Sequence, residues 1–259
     1  MKTILRRSLQ EPLVVIVMAM ITTSLLPACS LAQQPGAIDT SFTANLVSAA
    51  DGSYIFQMAL QRDGKILVTG RLRNAGNLTR LNPDGRFDSG FKLALKADSQ
   101  IRTVAVQSDG KILIGGWFTY ALNEATRTNF VRLQPDGSVD LSFDLGLSAD
   151  DVVRSLVVQP DGKILIGGSF KSFAGTPRKG VARINSDGQL DADFKPLPWA
   201  AASVGSLVLQ NDGKVLIRGA FTDADNRPLP ALARLNADGS VDDTFKYADG
   251  IVGFRSMAL

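Results

Sequence analysis

Gln159-Pro160-Asp161-Gly162-Lys163-Ile164-Leu165-Ile166-Gly167-Gly168-Ser169-Phe170 decides the fold. Gln-Pro-Asp-Gly is a turn with a mechanism. Proline presets φ for the first central position, aspartate tolerates the next, and glycine takes the positive φ that closes a hairpin through a bulge. The apolar triplet that follows is a short buried strand, and the paired glycines mark a close backbone approach. Asp-Gly-Lys with its apolar triplet occurs four times, beginning at Asp63, Asp109, Asp161 and Asp212, at intervals of 46, 52 and 51 residues. β-rich stretches precede it, such as Ile101–Val106 and Val152–Val158.

About half a period later a second string recurs, Arg80-Leu81-Asn82-Pro83-Asp84-Gly85 and its counterparts from Arg132, Arg183 and Arg234. Each copy runs on through an aspartate to a phenylalanine in phase, at Phe42, Phe91, Phe143, Phe194 and Phe245, with steps of 49, 52, 51 and 51. Two hairpins per unit predict four short strands, with no sustained helical period after residue 40. Four-stranded units of about 50 residues in tandem are the signature of propeller blades. The expected fold is therefore all-β: tandem four-stranded blades of a β-propeller-like domain over 33–259. The full repeats lie near 43–91, 92–143, 144–194 and 195–245, with a partial repeat over 246–259. A β-solenoid is the alternative, although its rungs are usually shorter and lack two Asp-Gly hairpins. The in-phase phenylalanines are expected to fill the space between blades. The partial ends suggest a piece of a longer gene product.

The strings at 159–170 and 183–194 resemble the delta-60 repeat, a bacterial propeller-like repeat of exported proteins. That resemblance covers nearly all of 36–259. It implies a propeller-type surface or secreted protein and no particular reaction.

Residues 1–32 read as an export signal. Lys2, Arg6 and Arg7 precede an apolar run from Leu13 to Leu26, which is too short to span a bilayer as a helix. Ser30-Leu31-Ala32 offers a signal-peptidase site, whereas Leu26-Pro27-Ala28-Cys29 offers a lipobox that would acylate Cys29. The expected location is outside the cytoplasm: extracellular, periplasmic or as an outer-membrane lipoprotein. The formal charge of +3 falls to about +1 once the first 28 residues, with Lys2, Arg6, Arg7 and Glu11, are removed. Basic and acidic residues are interspersed, so no nucleic-acid partner is expected. The composition of 45% hydrophobic and 20% charged residues is that of a globular protein.

The chain has no histidine and one cysteine, Cys29. This excludes an internal disulfide, a Ser-His-Asp or Cys-His nucleophile system and a His-ligated zinc. Neither cofactor nor metal is expected. Each turn supplies one aspartate where a calcium loop needs several, and Asp150-Asp151 and Asp223-Ala224-Asp225 come nearest. The lysines of Asp-Gly-Lys and the arginines of the second string recur once per blade. They would either ring one face and attract an anion or pair with neighbouring aspartates. Function in a repeat protein sits more often where the repeats differ, in the linkers 117–127, 170–178 and 221–227. There Trp117, Phe118, Tyr120, Arg127, Arg178 and Arg227 are the candidate ligand-binding residues, with Trp199 as a further aromatic, for a polysaccharide or protein ligand. The expectation is a non-catalytic binding or structural module at the cell envelope. The competing class is a carbohydrate-active hydrolase or lyase using face carboxylates. No catalytic residue is assigned, because Glu124 is the only glutamate after residue 32 and the aspartates stand in repeated turns.

Overall fold

Each Asp-Gly-Lys string turns one strand back on another. At Gln159–Lys163 the Gly162 amide donates to the Gln159 carbonyl at 2.9 Å, the Gln159 amide to the Lys163 carbonyl at 2.8 Å, and Gly162 has φ +83°. Asp161 Oδ1 accepts the Lys163 amide at 3.1 Å, so the aspartate locks the turn it precedes. This is the expected bulge-closed hairpin.

The computed structural model describes residues 42, 53–72, 76–93, 95, 100–122, 125–143, 146, 148–195, 197–199 and 201–246. All of them belong to one unit, Thr40–Leu259. The export segment 1–32 with Cys29, and the partial repeat beyond Lys246, lie outside the described residues.

Blade 1 holds β1 (Tyr54–Leu60), β2 (Ile66–Leu72) and β3 (Gly76–Leu81); blade 2 holds β4 (Gln100–Val106), β5 (Ile112–Leu122) and β6 (Ala125–Leu133). Blade 3 holds β7 (Val153–Val158), β8 (Ile164–Gly168), the small hairpin β9 (Ser172–Phe173) and β10 (Thr176–Pro177), and β11 (Val181–Ile184). Blade 4 holds β12 (Ala201–Leu209), β13 (Val215–Thr222), β14 (Pro228–Leu229) and β15 (Leu232–Leu235). Pairing is antiparallel, and the apolar triplet always lies on the middle strand, β2, β5, β8 or β13.

One expectation is refined. After the second Asp-Gly turn the fourth strand shrinks to a single bridge: Leu81 with Phe87, Leu133 with Val139, Ile184 with Leu190 and Leu235 with Val241. The chain cannot continue as a strand because the next residue is the aspartate that accepts hydrogen bonds from two basic side chains, and it turns at once to the in-phase phenylalanine.

The core lies between blades. Ile112 and Ile114 face Leu67 and Leu78 of blade 1, whereas Leu113 faces Val153, Ile164 and Phe173 of blade 3. Leu165 of blade 3 packs likewise against Val204, Val215 and Ile217 of blade 4. A strand covered on both faces needs no polar alternation, which explains the unbroken apolar triplets. The glycine pair divides its labour. A methyl group on Gly116 would collide with the Gln100 carbonyl within its own blade, where β4 bulges between Ile101 and Thr103. One on Gly115 would collide with Val153 of the next blade and sit 2.9 Å from Thr103 Cγ2.

The first strands converge, β1 beside β4, β4 beside β7 and β7 beside β12. Every first strand runs into an Asp-Gly-Lys turn and every third strand into the second Asp-Gly turn. All eight turns therefore gather at one end of the blades. The bulges and the variable connections from second to third strand gather at the other.

Candidate functional site

The turn end is committed to structure. Asp88 Oδ2 accepts from Lys65 Nζ at 2.9 Å and from Arg80 Nε at 2.8 Å, while its Oδ1 accepts the Gly90 amide at 2.9 Å. The pattern recurs as Lys111–Asp140–Arg132, Lys163–Asp191–Arg183 and Lys214–Asp242–Arg234. Lys65 beside Asp88, helped by the Gly90 amide and Arg80, draws that carboxyl down to about 2. Burial of Asp140 works in the opposite direction, yet Ser142, Lys111 and Arg132 outweigh it and bring this carboxyl to about 2 as well. Asp191 and Asp242 are lowered too: at Asp191 Lys163 and Arg183 prevail over burial, and at Asp242 Lys214 and Thr244 are the main causes. Of the two arrangements open to the recurring lysines and arginines, the ion pair is the one formed.

Each arginine of the set also lies over the phenylalanine at the end of its repeat, Arg132 over Phe143 at 3.5 Å and Arg80 over Phe91 at 4.8 Å. Those phenylalanines press on the second-turn glycine of the next blade. Phe143 Cε2 would be 2.8 Å from a methyl on Gly188, and Phe194 Cδ2 3.0 Å from one on Gly239. The phenylalanines thus fill the space between blades, as their phase predicts. Arg80 and Arg183 reach across to donate to the Pro135 and Ala237 carbonyls of the following blade.

The other end carries the candidates. Trp117, immediately after the glycine pair, is 64% exposed and stands opposite Gln100 across the β4–β5 pairing. It borders a cavity of about 480 Å³ with Gln100, Thr119 and Thr126. The flanking Phe118 is buried and tilted against Tyr120 at 6.2 Å, and the Tyr120 hydroxyl donates to the Phe130 carbonyl at 3.4 Å. Arg127, opposite Tyr120 on β6, donates to the Thr126 carbonyl at 3.4 Å. Arg178 is buried and donates to the Pro177 carbonyl at 3.0 Å, and exposed Arg227 pairs with Asp225 at 3.1 Å. Trp199 packs on Phe221 at 4.4 Å. The six predicted residues therefore divide. Trp117 and Arg227 face solvent and Arg127 is half-buried, whereas Phe118, Tyr120 and Arg178 serve the packing beneath.

The less regular acids act as loop caps. Asp150 Oδ1 accepts the Lys171 amide at 2.8 Å and the Ser172 amide at 3.1 Å, and Asp223 Oδ1 accepts the Asp225 and Arg227 amides at 2.9 Å. Among the described residues no group of three or more His, Cys, Asp or Glu side chains is placed to hold a metal. No helix among them is long and apolar enough to cross a membrane.

Sequence reasoning missed two features at this end. A cavity of about 690 Å³ opens between blades 3 and 4, floored by Phe170, Phe221 and Leu229 and edged by Lys171, Lys179, Ser169 and Ser203. At the same end stand the bulge residues of the first strands, Phe56, Arg102, Arg154 and Gly205. The signal for the bulge was present in the glycine pair, whose second member has to receive the carbonyl that precedes the bulge.

A family model described as a beta-propeller domain of unknown function, DUF5122, matches residues 61–91, 107–143, 159–194 and 210–245. No curated protein matches the chain. Among solved structures, a puromycin hydrolase is similar with a TM-score of 0.48 and 14% identity, over 74% of this chain and 29% of that one. A gluconolactonase of Xanthomonas campestris gives 0.46 and 18%, over 72% and 60%, and an inactive virginiamycin B lyase of Staphylococcus aureus gives 0.44 and 14%, over 76% and 72%. The chain thus spans less than a third of the first of these and about three fifths of the second. Likeness at this level passes neither a reaction nor a ligand to this chain.

Proposed function

The chain belongs to the DUF5122 beta-propeller family, and from that premise we propose that it is an exported, non-catalytic binding module of the cell envelope, engaging a polysaccharide or protein ligand at the bulge end of its blades. The observation that carries this is Trp117. In the position after the glycine pair the other blades place Arg71, Ser169 and Ala220, whereas blade 2 holds a large aromatic ring 64% exposed above a cavity. An exposed indole is a stacking platform for a sugar ring or a peptide side chain.

Two further points favour binding over turnover. The repeated carboxylates are held ionised by two cations each, and a carboxyl held ionised cannot donate a proton as a general acid. Asp150 and Asp223 are occupied by backbone amides. The basic-apolar opening of residues 1–32 supports export, and Cys29 would supply a lipid anchor where the lipobox is used.

The test passes the full chain over immobilised polysaccharides and peptides, with recovered ligand checked for cleavage. Retention without cleavage, weakened at least tenfold in Trp117→Ala, is expected. A shortened ligand, or equal retention of the variant, would overturn the proposal and favour the hydrolase or lyase alternative or a different surface.

A further inference from the structure

We infer that Arg102 and Arg154, on the bulges of β4 and β7, form a site for an oxyanion, the carboxylate or phosphate group of a ligand, where blades 2 and 3 converge. The inference rests on the bulge end being a binding surface and adds the chemical class of what it binds. A bulge inserts one residue and re-aims its side chain. In blades 2 and 3 the re-aimed residue is arginine, and β4 and β7 are neighbours. The fourth blade has Gly205 there, yet Arg218 Nη1 lies 3.2 Å from where a Cβ on Gly205 would stand. A third guanidinium thus reaches the same row by a different route.

What separates this pair from the turn-end arginines is the missing counter-charge. Arg80, Arg132, Arg183 and Arg234 each have a carboxylate at 2.7–2.8 Å. Among the described residues Arg102 and Arg154 have none within ion-pairing distance. Arg102 donates once, to Gln100 Oε1 at 3.2 Å, and its buried Nε has no acceptor. Arg154 donates once, to Ser169 Oγ at 3.2 Å. A guanidinium has five N–H donors, so most of both forks are unclaimed. Burial and the Arg102 charge both loosen the Arg154 proton, against the pull of Asp151.

The pair is nevertheless held in place. The Arg102 guanidinium rests on the Phe56 ring at 5.0 Å, and Ser169, which anchors Arg154, is hydrogen-bonded to Ser203 at 2.7 Å. Two neighbouring like charges, held in place with no carboxylate partner among the described residues, are stabilised by an anion arriving from outside. A planar fork suits carboxylate and phosphate above other anions. Lys171 and Lys179 at the adjoining cavity extend the same sign.

The experiment is calorimetric titration of the full chain with inorganic phosphate, with glucuronate and with neutral glucose. Saturable binding of phosphate or glucuronate but not glucose is expected. Arg154→Gln should weaken it about tenfold and the Arg102→Gln/Arg154→Gln pair should abolish it, while Arg86→Gln at an exposed turn leaves it unchanged. Tighter phosphate points to a phosphorylated ligand and tighter glucuronate to a uronic or peptide carboxylate; either supports the site. No saturation with both anions, or wild-type affinity in the double variant, overturns it. Should the double variant not fold, Arg102→Lys/Arg154→Lys keeps the charge and removes the forks; several-fold weakening is expected, and unchanged affinity overturns the site. Absent anion binding alongside Trp117-dependent retention refutes only this inference. Anion binding with retention indifferent to Trp117→Ala refutes only the platform.

Discussion

Asp140→Asn tests whether the lysine–aspartate–arginine set holds the blades together. Asp140 is 3% exposed, and its Oδ2 accepts from Arg132 Nε at 2.8 Å and lies 3.1 Å from Lys111 Nζ. Asparagine keeps the shape and an oxygen for the Ser142 amide and hydroxyl, but leaves Arg132, itself only 7% exposed, without its charge partner. Removing one member of a buried pair costs about 3–5 kcal/mol. With the Ser142 contacts kept, the low end applies: about 3 kcal/mol at pH 7, or roughly 6–12 °C in Tm at this size. The pH dependence is the sharper check. The folded carboxyl sits at about 2 against an ordinary 3.8, so its stabilisation is full above pH 4 and is lost as pH falls through 2. At about 1.4 kcal/mol per tenfold in proton affinity, the whole contribution is about 2–3 kcal/mol. The substituted amide would not titrate, whereas Asp88, Asp191 and Asp242 titrate in both proteins and cancel. Urea unfolding followed by tryptophan fluorescence should show the gap between wild type and D140N shrinking by about 1 kcal/mol from pH 7 to pH 3. A gap that stays constant, or is absent at pH 7, refutes the reasoning.

Three further outcomes follow from the packing. Gly115→Ala drives a methyl into Val153 of the next blade and should cost about 2–3 kcal/mol, whereas Gly146→Ala meets nothing within 4 Å at φ +76° and should cost about 1–2 kcal/mol; equal urea midpoints for the two variants would refute the inter-blade role of Gly115. Phe143→Ala removes a buried ring wedged between Arg132 and Gly188, for a loss of about 3–5 kcal/mol in the same assay. Trp117→Ala, by contrast, should move the urea midpoint by less than about 0.5 kcal/mol, because the ring is exposed; a large shift would mean that Trp117 packs rather than binds.

The blades were legible in the sequence because the residues that form them are short-range and repeated. Asp-Gly fixes a turn over four residues, the apolar triplet marks a strand covered on both faces, and the phase of Phe91, Phe143 and Phe194 reports contacts one blade away. What the pattern concealed was the fate of the fourth strand. Asn82-Pro83-Asp84-Gly85 reads as a full hairpin, but the returning arm is cut to one bridge by Asp88, which must reach Lys65 and Arg80. A residue needed for two distant partners ends a strand that local propensity alone would extend.

The site was less legible for a related reason. Ile101-Arg102-Thr103-Val104 reads as ordinary alternation, with Arg102 an outward polar residue of a regular strand. The bulge breaks that period: Ile101, Thr103 and Val104 are all buried, and Arg102 is the extra residue turned aside. Its predictor lies in another strand, since the Gln100 carbonyl beside the bulge requires glycine at 116. The same logic explains why a search among the repeated charges led to structure. A residue present in every blade is already claimed by the blade, as Asp88 and its counterparts are by their lysines and arginines. The freedom to bind is left to positions that the scaffold requires to exist but whose identity it does not fix: the bulge residue and the residue after the glycine pair. Phe56, Arg102, Arg154 and Gly205 differ at the first of these, and Arg71, Trp117, Ser169 and Ala220 at the second. Both sets open on the end opposite the turns, so substitution at either set leaves undisturbed the ion pairs that hold the blades.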